Sequence, residues 1–334
     1  MSKRKARVGR LAVALCSMAG GLLLMEGLVR LIAPAYDPSG RVAFTFRPDG
    51  TALGPPNVTR RMMKNTGDYD VEVTFNELGL RDARSLKAST PDSIVVVGDS
   101  FAFGWGVEER QRFSNLLQER LSRPVFNVSA GSADLDGYDH LVHYAEENGA
   151  TIGTLIVSVC MENDLRRYED PEVDPTTAAP LSGVKAYLTE HSAAYLLATT
   201  AIHRTPWLEH GAAWLGLLVP NLEGIDESDI SDTAVTSSAQ RLRRLIAGRR
   251  AIVLIVPSRA LWVGAEEGRG RVAHAHDLFV RLLGEAALPV VDVRETFERQ
   301  EHPLAFHFAN DGHWNPAGHR IAADALAEYI QRHR

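Results

Sequence analysis

Two cysteines in 334 residues leave no disulfide framework to read. Cys16 lies in an apolar amino-terminal run and Cys160 closes a β-type run, so no disulfide is expected, and a chain of this length can bury a sufficient core without one. A glycine-rich loop ending in lysine is missing, which excludes the common phosphate cradle of nucleotide hydrolases. Gly-x-Ser-x-Gly is missing too, which excludes the nucleophile elbow of the larger α/β-hydrolases. There is no internal repeat, low-complexity tract or heptad array. Positive charge is scarce after the first 34 residues: positions 35–334 carry 30 Lys and Arg against 41 Asp and Glu, a formal charge of −11. That surface argues against nucleic acid and against tight docking on anionic lipid. His302, His307, His313 and His319 are spaced by five, six and six residues, which fits neither a helical pair nor a zinc finger. No metal or other cofactor is expected.

The chain has the composition of a globular protein, 45% hydrophobic and 23% charged. Its amino terminus stands apart. Lys3, Arg4, Lys5, Arg7 and Arg10 precede an apolar stretch that runs, with Glu26 and Arg30 as interruptions, to Ala33 before Pro34. A helix needs about 20 residues to cross the hydrocarbon core, so residues 11–33 suffice. Glu26 and Arg30, four apart, fall on one helical face and can pair or snorkel. The basic flank predicts a cytoplasmic tail (1–10), a signal anchor (11–33) and export of the remainder to the periplasm or cell exterior. A cleaved signal peptide would need a small-x-small site that Glu26–Arg30 does not offer, and Leu15 before Cys16 argues against a lipoprotein signal.

Residues 34–90 read as a stalk and approach segment. Prolines at 34, 38, 48, 55 and 56 break its first half, and the alternation of Val71, Val73 and Phe75 suggests an edge strand or hairpin. Asn76-Glu77-Leu78-Gly79-Leu80-Arg81-Asp82 then forms a compact turn whose charged end can dock on the main domain. From 91 onward strands and helices alternate. Strands are expected at Ile94–Val97, Val125–Val128, Leu155–Val159, Ala251–Val256 and Pro289–Val293. Helices are expected at Arg112–Leu121, with Phe113, Leu116, Leu117 and Leu121 on one face, and after Asn315-Pro316, a cap followed by proline. Continuously apolar strands separated by helices imply a parallel sheet covered on both faces. Residues 165–235 break the alternation and read as a mostly helical insertion, through Leu188–Leu197 and Trp207–Leu218. That insertion is either a cap or docking surface or a decorated crossover.

The chemistry concentrates at two places. Ser93-Ile94-Val95-Val96-Val97-Gly98-Asp99-Ser100 puts a hydroxyl at the mouth of a buried strand, and Asp311-Gly312-His313 puts a carboxylate and an imidazole just before the last helix. Serine, histidine and aspartate together are the parts of a nucleophilic esterase. Ligands of open α/β sheets bind beyond the carboxyl ends of the strands, where the chain reverses direction. In strand order 2-1-3-4-5 that point lies between strands one and three, which end on Ser100 and on Met161-Glu162-Asn163-Asp164.

These blocks resemble the SGNH, or GDSL-like, hydrolase family over roughly residues 91–334. The resemblance implies a flavodoxin-like three-layer α/β fold with a five-stranded parallel sheet and a helical insertion at 165–235. It implies Ser100 as nucleophile, His313 as base and Asp311 as its orienter. It implies an oxyanion hole built from the Ser100 N–H, the Gly131 N–H and the Asn163 side chain. Ser132 is the alternative to Gly131, because the family's glycine often falls one position later. Two further departures are Met161, where the family usually has glycine, and the single residue between Asp311 and His313. That last spacing, the Asn76–Asp82 turn and Phe103-Gly104-Trp105-Gly106 are similar to the membrane-anchored branch of alginate-acetylation-type proteins. Asp99 and Asp164 are expected to hold their loops, and Trp105 and Phe103 either line a pocket or pack in the core. The implied activity is that of a serine esterase acting on O-acyl, above all O-acetyl, esters of a cell-envelope or exported polysaccharide. The alternatives are an O-acyltransferase with the same triad, or a non-catalytic glycan-binding assembly subunit. The implied partners are an acylated glycan or small ester, the membrane and polysaccharide-biosynthesis proteins.

Overall fold

The computed structural model describes residues 3–168, 182–214 and 230–333. In chain order its elements are α1 (Lys3–Ile32), β1 (Thr45–Phe46), β2 (Ala52–Leu53), β3 (Thr59–Met63), β4 (Asp70–Thr74), β5 (Ile94–Gly98), α2 (Ser100–Phe103), α3 (Phe113–Leu121), β6 (Val125–Asn127), α4 (Leu135–Glu147) and β7 (Thr154–Cys160). They continue with α5 (Ser182–His191), α6 (Ala193–His203), α7 (Pro206–Trp214), α8 (Asp232–Ile246), β8 (Ala251–Val256), α9 (Glu266–Glu285), β9 (Val290–Asp292), α10 (Arg294–Glu298) and α11 (Pro316–Arg332). The chain divides into two compact units.

The larger unit comprises residues 42–64, 68–172 and 219–334, so far as they are described. Its five-stranded sheet runs β6-β5-β7-β8-β9 with every neighbouring pair parallel, which is the expected 2-1-3-4-5 order. Each strand residue of β5, β7 and β8 is buried. Alternation along the strands distributes them between two layers. Ile94, Val96, Ile156 and Leu254 pack with Phe113 and Leu117 of α3 and Ala322 and Leu326 of α11. Val95, Val97, Val157 and Ile255 face Leu141 of α4, Leu242 of α8 and Phe279 of α9. Each such aliphatic side chain removed from water contributes about 1.5–3 kcal/mol, so these strands anchor the layers.

Local signals set several boundaries. α11 opens where expected, with the Asn315 side chain accepting from the N–H of Ala317 (2.9 Å) and Gly318, and with Pro316 at the first position. Gly98 ends β5 because the chain must pass close there: a Cβ would lie 2.7 Å from that of Ala102 and 2.8 Å from that of Ser158. Gly104 stops α2 in the left-handed region, at φ +83°.

Two segments differ from the sequence expectation. Residues 42–64 and 68–90, read as stalk and approach, fall in the same unit as the sheet. There β3 and β4 form an antiparallel hairpin, Thr59 opposite Thr74 and Met63 opposite Asp70. The 76–82 turn buries its charged end fully. Arg81 donates to the carbonyls of Phe103, Gly104 and Val107 (2.6 Å for the last), and Asp82 accepts from the N–H of Asn127 (3.1 Å).

The smaller unit gathers the described residues of 1–41, 65–67 and 173–218, so α5–α7 of the insertion belong with α1. The helix expected over Leu188–Leu197 is interrupted at Ser192, whose hydroxyl caps α6 by accepting from Tyr195 N–H at 3.1 Å. The helix expected over Trp207–Leu218 is seen as α7 to Trp214, and residues 215–218 lie outside the described residues. At its far end the insertion gives way to α8 at Asp232, capped by Ser231. The fold class is therefore the expected α/β sheet, preceded by one helix, Ala12–Ile32, long and apolar enough to cross a membrane.

Candidate active site

Ser100 is the first residue of α2, directly beyond the carboxyl end of β5. Asp99 caps that short helix, its carboxylate accepting from Phe101 N–H at 2.9 Å. The Ser100 Oγ lies 2.8 Å from His313 Nε2 across 213 residues of sequence. The other imidazole nitrogen, Nδ1, bonds Asp311 Oδ1, which also accepts from the His313 backbone N–H at 3.1 Å. With Nδ1–H directed at a carboxylate, Nε2 is left with the lone pair that faces the serine hydroxyl.

The carboxyl group of Asp311 is nearly buried, and its second oxygen has partners no sequence signal announced. Lys64 Nζ donates to Oδ2 at 3.0 Å and the Tyr69 hydroxyl lies 3.4 Å from it. Burial pushes the Asp311 carboxyl upward, but the hydrogen bond and charge of His313, with the Lys64 ammonium, outweigh it and hold the group well below the usual carboxylate range. Burial and the Asp311 charge push the Tyr69 phenol up, so it stays a neutral donor. Tyr69 in turn accepts from Trp105 Nε1 at 2.7 Å. Trp105 stacks on His313 with ring centroids 5.6 Å apart and packs near Phe103 and Phe44. The imidazole is thus held by a carboxylate at one nitrogen and by an indole over its face.

The sequence-nominated oxyanion donors follow the carboxyl ends of three neighbouring parallel strands, β5, β6 and β7. Ser100 N–H stands at the open first turn of α2, and neither Gly131 nor Ser132 N–H has an acceptor among the described residues. A Cβ at Gly131 would meet the Trp105 ring at 3.1 Å, so the absence of a side chain there makes room for the indole. Asn163 follows β7 and donates through Nδ2 to Asp99 Oδ2 at 2.9 Å, while its Oδ1 faces the Cys160 thiol at 3.1 Å. One Nδ2 hydrogen is committed to Asp99, which leaves the second for another acceptor.

Behind this row lies a buried acid pair. Asp164 accepts from Cys160 N–H (2.7 Å) and from the Tyr138 hydroxyl (2.8 Å). Burial pushes Asp99 and Asp164 upward, and the charge of Asp99 raises Asp164 further. Asp99 holds the Phe101 N–H at the start of α2 and Asp164 holds the N–H of Cys160, so each is bonded to its own turn. Glu162, beside Asn163, accepts from Ser258 Oγ and from Arg259 N–H at 2.8 Å. The Arg259 guanidinium lies over Gly312, where a Cβ would be 2.5 Å from its Cζ, so a side chain between Asp311 and His313 would require the guanidinium to shift.

The remaining histidines occupy separate places. His319 is buried, accepts from Phe113 N–H at 3.3 Å and stacks on the Phe113 ring. Burial and the charges of Arg81 and Arg112 push it down to about 3. His307 is pushed down to about 3 by burial and by Arg259. The thiol of Cys160 is pushed up by burial and Asp99.

Sequence reasoning missed Lys64, Tyr69 and the position of Trp105. The β3–β4 alternation announces a hairpin but not what its ends touch, and Lys64 lies 247 residues from the group it pairs with.

A family model described as the SGNH hydrolase-like domain of the acetyltransferase AlgX matches residues 224–334, which include Asp311 and His313. No curated protein matches the sequence. Among solved structures the chain is similar to a lipase/acylhydrolase from Enterococcus faecalis, at 12% identity and a TM-score of 0.43 over 72% of this chain and 96% of that one. It is similar to a lipolytic protein of the G-D-S-L family from Veillonella parvula, at 12% identity and a TM-score of 0.41 over 72% and 98%. It is similar also to an acetylxylan esterase from Geobacillus stearothermophilus, at 12% identity and a TM-score of 0.40 over 73% and 96%.

Proposed function

We propose that the chain is a membrane-anchored serine esterase of exported glycans, of the SGNH hydrolase type described by the model that matches residues 224–334. Its substrates are O-acyl esters, chiefly O-acetyl, on a cell-envelope or exported polysaccharide. The observation that carries the reading is the Ser100–His313 contact of 2.8 Å with Asp311 on the far nitrogen.

His313 Nε2 takes the Ser100 proton as Oγ attacks the ester carbonyl, and Asp311 stabilises the imidazolium that forms. The carbonyl oxygen gains its negative charge facing the N–H groups of Ser100 and Gly131, with Ser132 as the alternative, and the free hydrogen of Asn163. His313 then gives its proton to the departing sugar oxygen, leaving Ser100 acylated. A water or a sugar hydroxyl, deprotonated by His313, attacks the acyl carbon and restores the serine. With a sugar hydroxyl as the incoming group the same site is an O-acyltransferase, a reading favoured by the acetyltransferase description of the matched model. The helix α1 serves as an uncleaved anchor, its basic end cytoplasmic and the remainder exported. Residues 1–10 and 11–33 are tail and anchor, and residues 42–64 and 68–90 fold with the domain from 91 onward.

The test is hydrolysis of a chromogenic acetate ester by the full chain in detergent. Ser100→Ala and His313→Ala are expected to abolish turnover while the protein stays folded. Full activity in either variant would remove the triad, and a wild-type chain that neither turns over nor is phosphonylated at Ser100 by an organophosphonate would leave a glycan-binding subunit. An oligosaccharide acceptor, with acetylated sugar read by mass spectrometry, separates transfer from hydrolysis.

A further inference from the structure

We propose that the carboxyl-terminal half of α1 and helices α5–α7 form one lipid-seated body, held in the head-group region of a phospholipid bilayer. In this body α7 presents Trp207 and Trp214 to lipid. The inference rests on the anchor reading of α1 and assigns a role to the 165–235 insertion, none of whose residues belongs to the site above.

The first support is the level at which the insertion is fastened. Ala12–Ile32 is long enough to span the hydrocarbon layer, and Glu26 lies six residues, about 9 Å, inside its end. A lone carboxylate is costly at that depth. Here it is saturated: it accepts from Ser192 Oγ at 2.8 Å, from the N–H groups of Ala193 and Ala194 at 2.9 and 3.0 Å, and from Arg30 Nε at 2.7 Å. Glu26 therefore caps α6 from within the spanning helix. Arg30, one turn onward, donates to the His191 carbonyl at 2.8 Å and to Asp37 at 2.8 Å. The α5–α6 junction is thus bonded to the outer margin of the span and does not stand off in water. Ala193, Leu196 and Thr200 of α6 are buried in this unit.

The second support is independent and lies on α7. Trp207 and Trp214 are 73% and 85% exposed. Seven residues is nearly two helical turns, so both rings fall on one stripe. Tyr187 and Val184 of α5 are exposed too, as are Leu28, Leu31 and Ile32 at the end of α1. Tryptophan and tyrosine are the side chains that collect at the head-group level, where an apolar ring and a polar edge are both satisfied. Lipid, not a soluble partner, fits because the same unit carries the span and because exposed apolar side chains stand on α1, α5 and α7 alike.

The test reconstitutes the full chain in phosphatidylcholine vesicles. Flotation on a density gradient reads the anchor. Lipids brominated near the head group, and separately aqueous iodide, then read tryptophan fluorescence in wild type and in the Trp207→Phe/Trp214→Phe variant. The signal lost in the variant is expected to be quenched about twofold by brominated lipid and to resist iodide. If the protein fails to float, the anchor reading falls and this inference with it. If it floats but that signal is quenched by iodide and not by lipid, the anchor stands and the lipid-seated body is refuted. Protection from both quenchers would mean a protein surface covers α7 and would likewise refute it.

Discussion

Replacing Lys64 by methionine tests whether the β3–β4 hairpin is part of the catalytic apparatus. The ammonium lies 3.0 Å from Asp311 Oδ2, with 29% of its side chain exposed against 6% for Asp311. Two unit charges at that separation attract by about 5 kcal/mol at an effective dielectric near 20. Partial exposure of the lysine and the desolvation already incurred reduce the net contribution to about 1–2 kcal/mol. Methionine keeps the aliphatic stem and removes the charge, leaving Asp311 with His313 and the weaker Tyr69 contact. Asp311 is held low in the folded state, so its contribution to stability is present above the unfolded carboxylate range and disappears as pH falls through the folded value. The stability gap between wild type and Lys64→Met should therefore be widest at neutral pH and close on acidification. A looser Asp311 holds His313 less firmly, and kcat for a chromogenic acetate ester should fall about tenfold, equivalent to about 1.4 kcal/mol of barrier. Lys64→Arg should recover most of that loss because the charge returns. Denaturant melts from about pH 2 to 7 and ester hydrolysis at neutral pH supply the two readouts. A Lys64→Met protein with wild-type kcat and an unchanged stability profile would refute the reasoning.

Asn163→Ala removes a side chain that donates to Asp99 and has a hydrogen to spare for the reacting oxygen. In ester hydrolysis kcat should drop about 100- to 1,000-fold with little change in KM, and a loss confined to KM would count against the oxyanion role. His319→Gln keeps an acceptor for Phe113 N–H but cannot take up a proton. With the folded pKa down at about 3, unfolded chains bind the extra proton first, so His319 costs stability as pH falls below the ordinary histidine range. The substitution should flatten the decline in melting temperature between pH 7 and 5, and an acid limb as steep as wild type would exclude His319 from it.

The strand runs and the cap and proline before α11 were legible from residues 94–97, 155–159, 251–256 and 315–316 because strand burial and helix capping are local properties, whereas the order of the sheet came with the family resemblance. Ser100, Asn163 and His313 could be nominated for the same reason: each follows a strand or precedes a helix, and the ends of parallel strands converge. Lys64, Tyr69 and Trp105 could not, since nothing local distinguishes a lysine that will meet a carboxylate 247 residues away from one that will face water. The same holds for Glu26, which reads along the chain as an interruption of an apolar run and in three dimensions caps a helix 167 residues on. Periodicity and turn chemistry therefore determined the elements and the reacting groups. Which side chains restrain those groups was decided by tertiary packing, because a charge or hydroxyl gains its role only from whatever distant surface comes to desolvate it.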